Sequence, residues 1–177
     1  HYIGATRARH TRPVARGGYY NRGEGLRMAL AAGAAPAGEY GSYHAEPVDP
    51  RSRQPEAVIF IWPYGILVNR LGQRFVDEAH GTADATYDNV TRAVADQPDG
   101  ISWVIFDGQV EDIPQWRRSI RSEVPPLEAG TLEGLLAQIE EIDAAATLRT
   151  VADYNAACPE ITNYQPLQLD GNAARGL

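Results

Sequence analysis

Residues 57–69, AVIFIWPYGILVN, constrain the fold more than any other stretch. β-branched and aromatic side chains dominate it, so its backbone favours an extended conformation. Pro63 lacks the N–H that a ladder needs, which places an edge or a break in the middle of the run. The next stretch overlaps it: GILVNRLGQRFVDEA (65–79) reads as an apolar strand, a tight Arg-Leu-Gly turn and a return strand ending in two carboxylates. Gly72 relieves the turn, and the whole predicts a β-hairpin. Arg74 sits inside the return limb, between Gln73 and Phe75, where a surface hairpin accepts almost any polar residue.

The elements around this hairpin mix helix and strand without a regular βαβ alternation, which predicts an α+β fold. LRMALAAGA (26–34) reads as a short helix stopped by Gly33. Residues 36–56 are rich in Gly, Pro and charge and read as a long, mostly irregular segment. ATYDNVTRAVADQ (85–97) carries Tyr87, Val90 and Val94, with Ala83 before them, at helical spacing. ISWVIFD (101–107) is a continuous apolar run of strand length, the pattern of a buried central strand. TLEGLLAQIEEI (131–142) puts Leu132, Leu135, Leu136, Ile139 and Ile142 on one helical face, with Thr131 as N-cap. Asp143 is placed to cap a further helix, AAATLRTVADYNAA, which must end before Pro159. The tail from Pro159 reads as a loop.

Several function classes fall away on composition. No apolar run approaches the roughly 20 residues that cross a bilayer, so no transmembrane segment is expected. The basic start, HYIGATRARHTRP, has no apolar core behind it, so it is not expected to be a secretory signal. Cys158 is the only cysteine, which leaves no disulfide framework and no thiol metal site and fits a reducing, cytoplasmic compartment. Residues 1–30 carry a charge of +5 and the remainder −12, with no lysine anywhere. Nucleic-acid surfaces mix lysine with arginine and interleave aromatics, and an acidic body repels phosphate, so nucleic acid is not expected as a partner.

Self-contained active sites are also missing from the sequence. There is no G-x-S-x-G and no P-loop. HAEP (44–47) has the H-x-E half of a zinc deaminase without its P-C-x-x-C partner. The histidines at 1, 10, 44 and 80 show no i,i+4 pairing for a metal. GEGLRM (23–28) lacks the third glycine of a dinucleotide fingerprint, and no strand clearly precedes it.

The ordered set RGEGLRMALAAGA, YHAEP, GILVNRLGQRFVDE, WVIFD and GTLEGLLAQ…TLRTVADYNAA resembles the fumarate reductase/succinate dehydrogenase flavoprotein superfamily. Within it the chain looks most like the FAD-dependent tricarballylate dehydrogenase branch, which has a similar YNAA…LDG…GL tail. The resemblance runs over roughly residues 19–177. It implies a bipartite FAD domain with a capping domain inserted between its halves. Residues 1–40 would be the end of the first FAD-binding half and residues 41–177 the capping, substrate-binding domain. The chain is then expected to be a fragment, inactive alone, of an enzyme that uses FAD, a small carboxylic acid substrate and an unidentified electron acceptor.

The same resemblance implies residue roles. Arg74 lies where fumarate reductases place the arginine that moves a proton to or from the substrate carbon. A guanidinium stays protonated in nearly all settings, so Arg74 could instead clamp a substrate carboxylate, or simply pair with Asp77 or Glu78 at the surface. His44 matches a histidine that hydrogen-bonds a substrate carboxylate; the alternative is a solvent-exposed loop histidine. Gly23, Glu24 and Gly25 match a G-D-G turn that approaches the flavin, with Glu in place of Asp; favourable placement at a helix N-terminus would also account for Glu24. Tyr40, Tyr43, Trp62 and Tyr64 could line a pocket or serve as core, and Asp107 reads as a turn residue. One departure is clear: Glu56-Ala57 stands where fumarate reductases carry a Thr-Glu pair, which argues for an acid other than fumarate. Two other readings remain open: a stand-alone α+β binding domain without cofactor, and a flavoprotein of the same superfamily with a non-acid substrate such as a 3-ketosteroid.

Overall fold

A computed structural model describes residues 16–18, 20–38 and 44–159. The basic start, Tyr40, Tyr43 and the LDG…GL part of the tail lie outside the described residues. The chain divides into two units, residues 1–44 and 45–177.

In the first unit, helix α1 spans Glu24–Ala31. It stops as the sequence requires. Gly33 takes φ +95°, its N–H reaches Leu30 O at 3.1 Å, and Ala34 N–H reaches Ala29 O at 3.0 Å. This double closure satisfies the last carbonyls, and its left-handed residue is one that glycine adopts without strain. No residue of α1 is buried, and Leu26, Met28 and Leu30 are exposed.

The second unit is a small α+β domain built on two antiparallel strands, β1 (Ile66–Asn69) and β2 (Ser102–Ile105). The register pairs Ile66 with Ile105, Leu67 with Val104 and Val68 with Trp103. Alternation along β1 sends Ile66 and Val68 to one face and Leu67 to the other. Ile66 and Val68 pack with Leu136 and Ile142, from helix α3 (Leu132–Leu136) and the turns after it, and with Leu148 and Val151 of helix α4 (Ala144–Ala157). Leu67 packs with Trp62 and with Val90 of helix α2 (Ala83–Ala95). Strand β1 is therefore covered on both faces, which is why all four of its residues are buried. Burying a side chain the size of Leu67 stabilises the fold by about 2 kcal/mol.

This arrangement corrects the expectation of a central apolar strand at 101–107. β2 is an edge strand and only half-buried. The fully buried strand is β1, whose residues are just as apolar; β2 meets the same two clusters, Trp103 and Ile105 on one face and Val104 on the other, but stays half-buried. The expected hairpin is also shorter than its sequence pattern. Its return limb meets β1 at a single bridge, Val68 with Arg74, and β2, more than thirty residues downstream, supplies the regular pairing. Upstream of β1, Val58 bridges Val48 and Ile59 bridges Ile120. Pro63 lies in a 3₁₀ turn, Trp62–Tyr64, that separates these bridges from β1, where its missing N–H costs no ladder bond. A third apolar cluster, Ile61, Val110, Ile113 and Trp116, closes this end of the unit.

Helix α2 forms where the apolar spacing predicts it. Helix α3 is shorter than the 131–142 pattern. Thr131 Oγ1 accepts from Gly134 N at 3.1 Å, as an N-cap should, but regular helix ends at Leu136. Tighter i→i+3 bonds carry the chain on, from Gln138 N to Leu135 O and from Ile139 N to Leu136 O. This overwinding lets Ile142 reach the core and brings Asp143 to the start of α4. Asp143 Oδ1 accepts from Ala146 N at 2.8 Å, and α4 ends at Ala157, before Pro159. Asp143→Ala is expected to cost about 1 kcal/mol, the usual value of a lost N-cap, measured by urea denaturation.

Candidate functional site

The turn after β1 is where the sequence concentrates its polar chemistry. Asn69 organises it: its Oδ1 accepts from Leu71 N and Gln73 N, both at 3.0 Å, while Gly72 N donates to Asn69 O at 2.9 Å. The turn then docks on the start of α4. Asp143 N donates to Arg70 O at 2.8 Å, and Thr150 Oγ1 donates to Gly72 O at 2.6 Å. Gly72 sits at φ +70° against this helix, with no room for a side chain. The seating fixes where the return limb starts and hence where Arg74 emerges.

Arg74 is not a surface arginine. Its side chain is 16% exposed, and its partner Glu78 only 3%. Arg74 Nε donates to Glu78 Oε2 at 2.9 Å, and Nη2 lies 2.7 Å from the same oxygen. The other carboxylate oxygen, Oε1, accepts from Leu67 N at 2.6 Å. Glu78 thus joins the outer edge of β1 to the guanidinium. The ring of Tyr154, on α4, lies under the guanidinium, with Cζ 5.2 Å from its centroid. Nη1 makes no hydrogen bond among the described residues.

The electrostatics follow from this packing. Burial, the largest influence on Glu78, pushes its carboxyl above the usual range, against the downward pull of the Arg74 and Leu67 hydrogen bonds. On Arg74 burial is again the largest single influence and acts downward, but the hydrogen bond and charge of Glu78, helped by Tyr154 and Asp77, outweigh it. The guanidinium is held cationic. Burial raises the Tyr154 phenol, and Cys158 and Glu78 add to the rise. The arrangement is a fixed, partly desolvated cation whose side-on Nε–Nη2 pair is taken by Glu78.

Of the two carboxylates that end the hairpin motif, only Glu78 joins this cluster. Asp77 is exposed and closes a local turn, accepting from Ala79 N at 3.1 Å. Tyr154 belongs to the site although the sequence reading did not single it out. Its signal was available in the Leu148, Val151, Tyr154 stripe, which turns one face of α4 toward the sheet. Trp62 is core, 1% exposed, and its Nε1 finds no partner among the described residues. Tyr64 packs against the Ile61 cluster, and Asp107 accepts from Gln109 N at 3.0 Å in a turn. Glu56, in the place of the Thr-Glu pair, is exposed.

The remaining candidates lie in the first unit. His44 is exposed. Gly23 precedes α1 in a left-handed conformation, φ 83°, and an added Cβ on Gly25 would meet no atom within 4 Å. Nothing among the described residues crowds this turn around Gly25. The Glu24 carboxylate is already engaged. It accepts from Arg22 N at 2.8 Å and from Arg27 Nη2 at 3.2 Å, and the Arg22 N–H is the main reason its carboxyl lies below the usual range. Among the described residues no cluster of His, Cys, Asp or Glu could hold a metal ion, and no helix is long and apolar enough to cross a membrane.

No protein-family model and no curated protein matches this chain.

Proposed function

We propose that the chain is the cap-bearing part of an FAD-dependent oxidoreductase of the fumarate reductase/succinate dehydrogenase type, dehydrogenating a polycarboxylic acid in the manner of tricarballylate to cis-aconitate. The observation that carries this reading is the half-buried Arg74, paired to Glu78 inside the very motif, GILVNRLGQRFVDE, on which the resemblance rests. FAD, when bound, supplies the hydride acceptor, and the nucleotide-binding fold that holds it would be completed by polypeptide other than these residues. The chain's own part is to present Arg74 to the substrate and to exclude water around it. A guanidinium held cationic by Glu78 is a poor base, so its first role is to clamp a substrate carboxylate; a proton can pass through it only when Glu78 takes up the proton it releases.

A second reading is favoured by the second unit's own three apolar clusters, which need no further chain to form. In that reading the unit is a stand-alone α+β binding domain without cofactor.

The test is turnover by the FAD-loaded full-length polypeptide with an artificial electron acceptor. Tricarballylate should yield an unsaturated acid seen by its ultraviolet absorbance, and a 3-ketosteroid should give no turnover. Steroid turnover alone would overturn the substrate class. The 177-residue chain by itself is expected to show no micromolar FAD binding by calorimetry, because the flavin site is shared with other polypeptide; tight binding would contradict that division.

A further inference from the structure

We infer that Glu78 and Tyr154 are positioning residues that immobilise Arg74 with its Nη1 edge reserved for a carboxylate ligand. The inference rests on the reading of Arg74 as the contact for a carboxylic acid and assigns the residues that set its geometry. The guanidinium has three places to be held: the Nε–Nη2 edge, the two faces and the Nη1 end. Glu78 takes the first, with 2.9 and 2.7 Å contacts to one oxygen. Tyr154 takes a face, at 5.2 Å. The Nη1 end makes no hydrogen bond among the described residues, and it is the end assigned to the ligand.

Both holding groups are themselves fixed. Glu78 is buried and anchored through Oε1 to the Leu67 N–H, on a strand covered on both faces. It cannot follow Arg74 outward without leaving a buried backbone donor unpaired. Tyr154 is carried by α4, whose first turn is tied to the hairpin through Asp143 and Arg70. An arginine on a free hairpin would sample many rotamers and lose most of them on binding. This one gives up that freedom when the chain folds, which is how preorganisation favours a ligand.

The rigidity is measurable without a ligand. In the 177-residue chain labelled with ¹⁵N,¹³C-arginine, rotation about the Arg74 Nε–Cζ bond should be slow, with resolved Nη signals. Glu78→Gln keeps the shape of the side chain and should speed rotation by about tenfold, the equivalent of about 1.4 kcal/mol. Tyr154→Leu should speed it as well, and Tyr154→Phe, which keeps the ring, should not. Should Glu78→Gln fail to fold, the Tyr154 pair decides. Fast rotation in the wild type, or no change in either Glu78→Gln or Tyr154→Leu, would overturn the inference. Tricarballylate added at about millimolar concentration to the FAD-loaded full-length polypeptide, against equal ionic strength of sodium chloride, should shift the Arg74 Nη1 signal first. Slow rotation released by the variants, with no response to tricarballylate, would leave the positioning intact and overturn the polycarboxylate reading.

Discussion

Replacing Arg74 by Met is expected to destabilise the second unit by about 3–5 kcal/mol and, on the function proposed above, to abolish turnover by the FAD-loaded full-length polypeptide with the flavin spectrum unchanged. The stability loss comes from Glu78, left buried beside β1 with no countercharge. Its sign with pH follows from the direction of its shift. The Glu78 carboxyl already titrates above its ordinary value in the fold, and losing Arg74 removes the strongest opposing pull. A carboxyl raised on folding binds its proton more tightly in the native than in the unfolded chain. Its contribution to stability is therefore full below the unfolded value, about 4.3, and declines as pH rises through the folded one. Arg74→Met should thus cost least in acid and most at neutral pH, read from urea denaturation across that range. Arg74→Met combined with Glu78→Met should regain most of the stability, because an apolar pair can replace a buried ion pair. It should regain no turnover. A double variant that turned over would remove Arg74 from the chemistry, and a single variant as stable as wild type would show that Glu78 is not held by this arginine.

Gly72→Ala should cost about 3 kcal/mol, with both causes local. The backbone here is left-handed, φ +70°, which disfavours any Cβ. The new Cβ would also lie 2.5 Å from Thr147 N and 2.8 Å from both Asp143 O and the Ala146 Cβ. None of these atoms can swing aside, since all belong to the backbone or the first carbon of α4. Relief requires the turn to lift off the helix, which would break the Thr150 to Gly72 and Asp143 to Arg70 hydrogen bonds. Denaturation measures the loss. A cost under about 1 kcal/mol would mean that turn and helix part freely.

The sequence was most legible where one residue decides a local outcome. Gly33 stops α1, Thr131 and Asp143 cap their helices, and Pro63 breaks the apolar run, each through the chemistry of its own side chain. It was least legible where tertiary partners decide. ISWVIFD and GILVN are equally apolar, and nothing in either shows which will be fully buried; that depends on how closely α2, α3 and α4 close around β1. The end of α3 is hidden in the sequence because Leu132, Leu135, Leu136, Ile139 and Ile142 satisfy a helical stripe that the chain abandons after Leu136 to bring Asp143 to the hairpin. Of the buried polar cluster, the sequence pattern marks Arg74. Glu78 and Asp77 are adjacent acids of similar sequence character, and only the strand edge separates the buried one from the exposed one. Tyr154 lies eighty residues from Arg74, a proximity that no local pattern encodes.

The hydrogen bond from Leu67 to Glu78 has a consequence for association between molecules. A two-stranded sheet ordinarily offers both flanks as templates for a neighbour's backbone. Here one flank is blunted by a side chain: the Leu67 amide is occupied, and Arg74 bridges beside it at Val68. A foreign strand, whether a binding peptide or a second copy of the chain, therefore finds this flank of β1 already occupied.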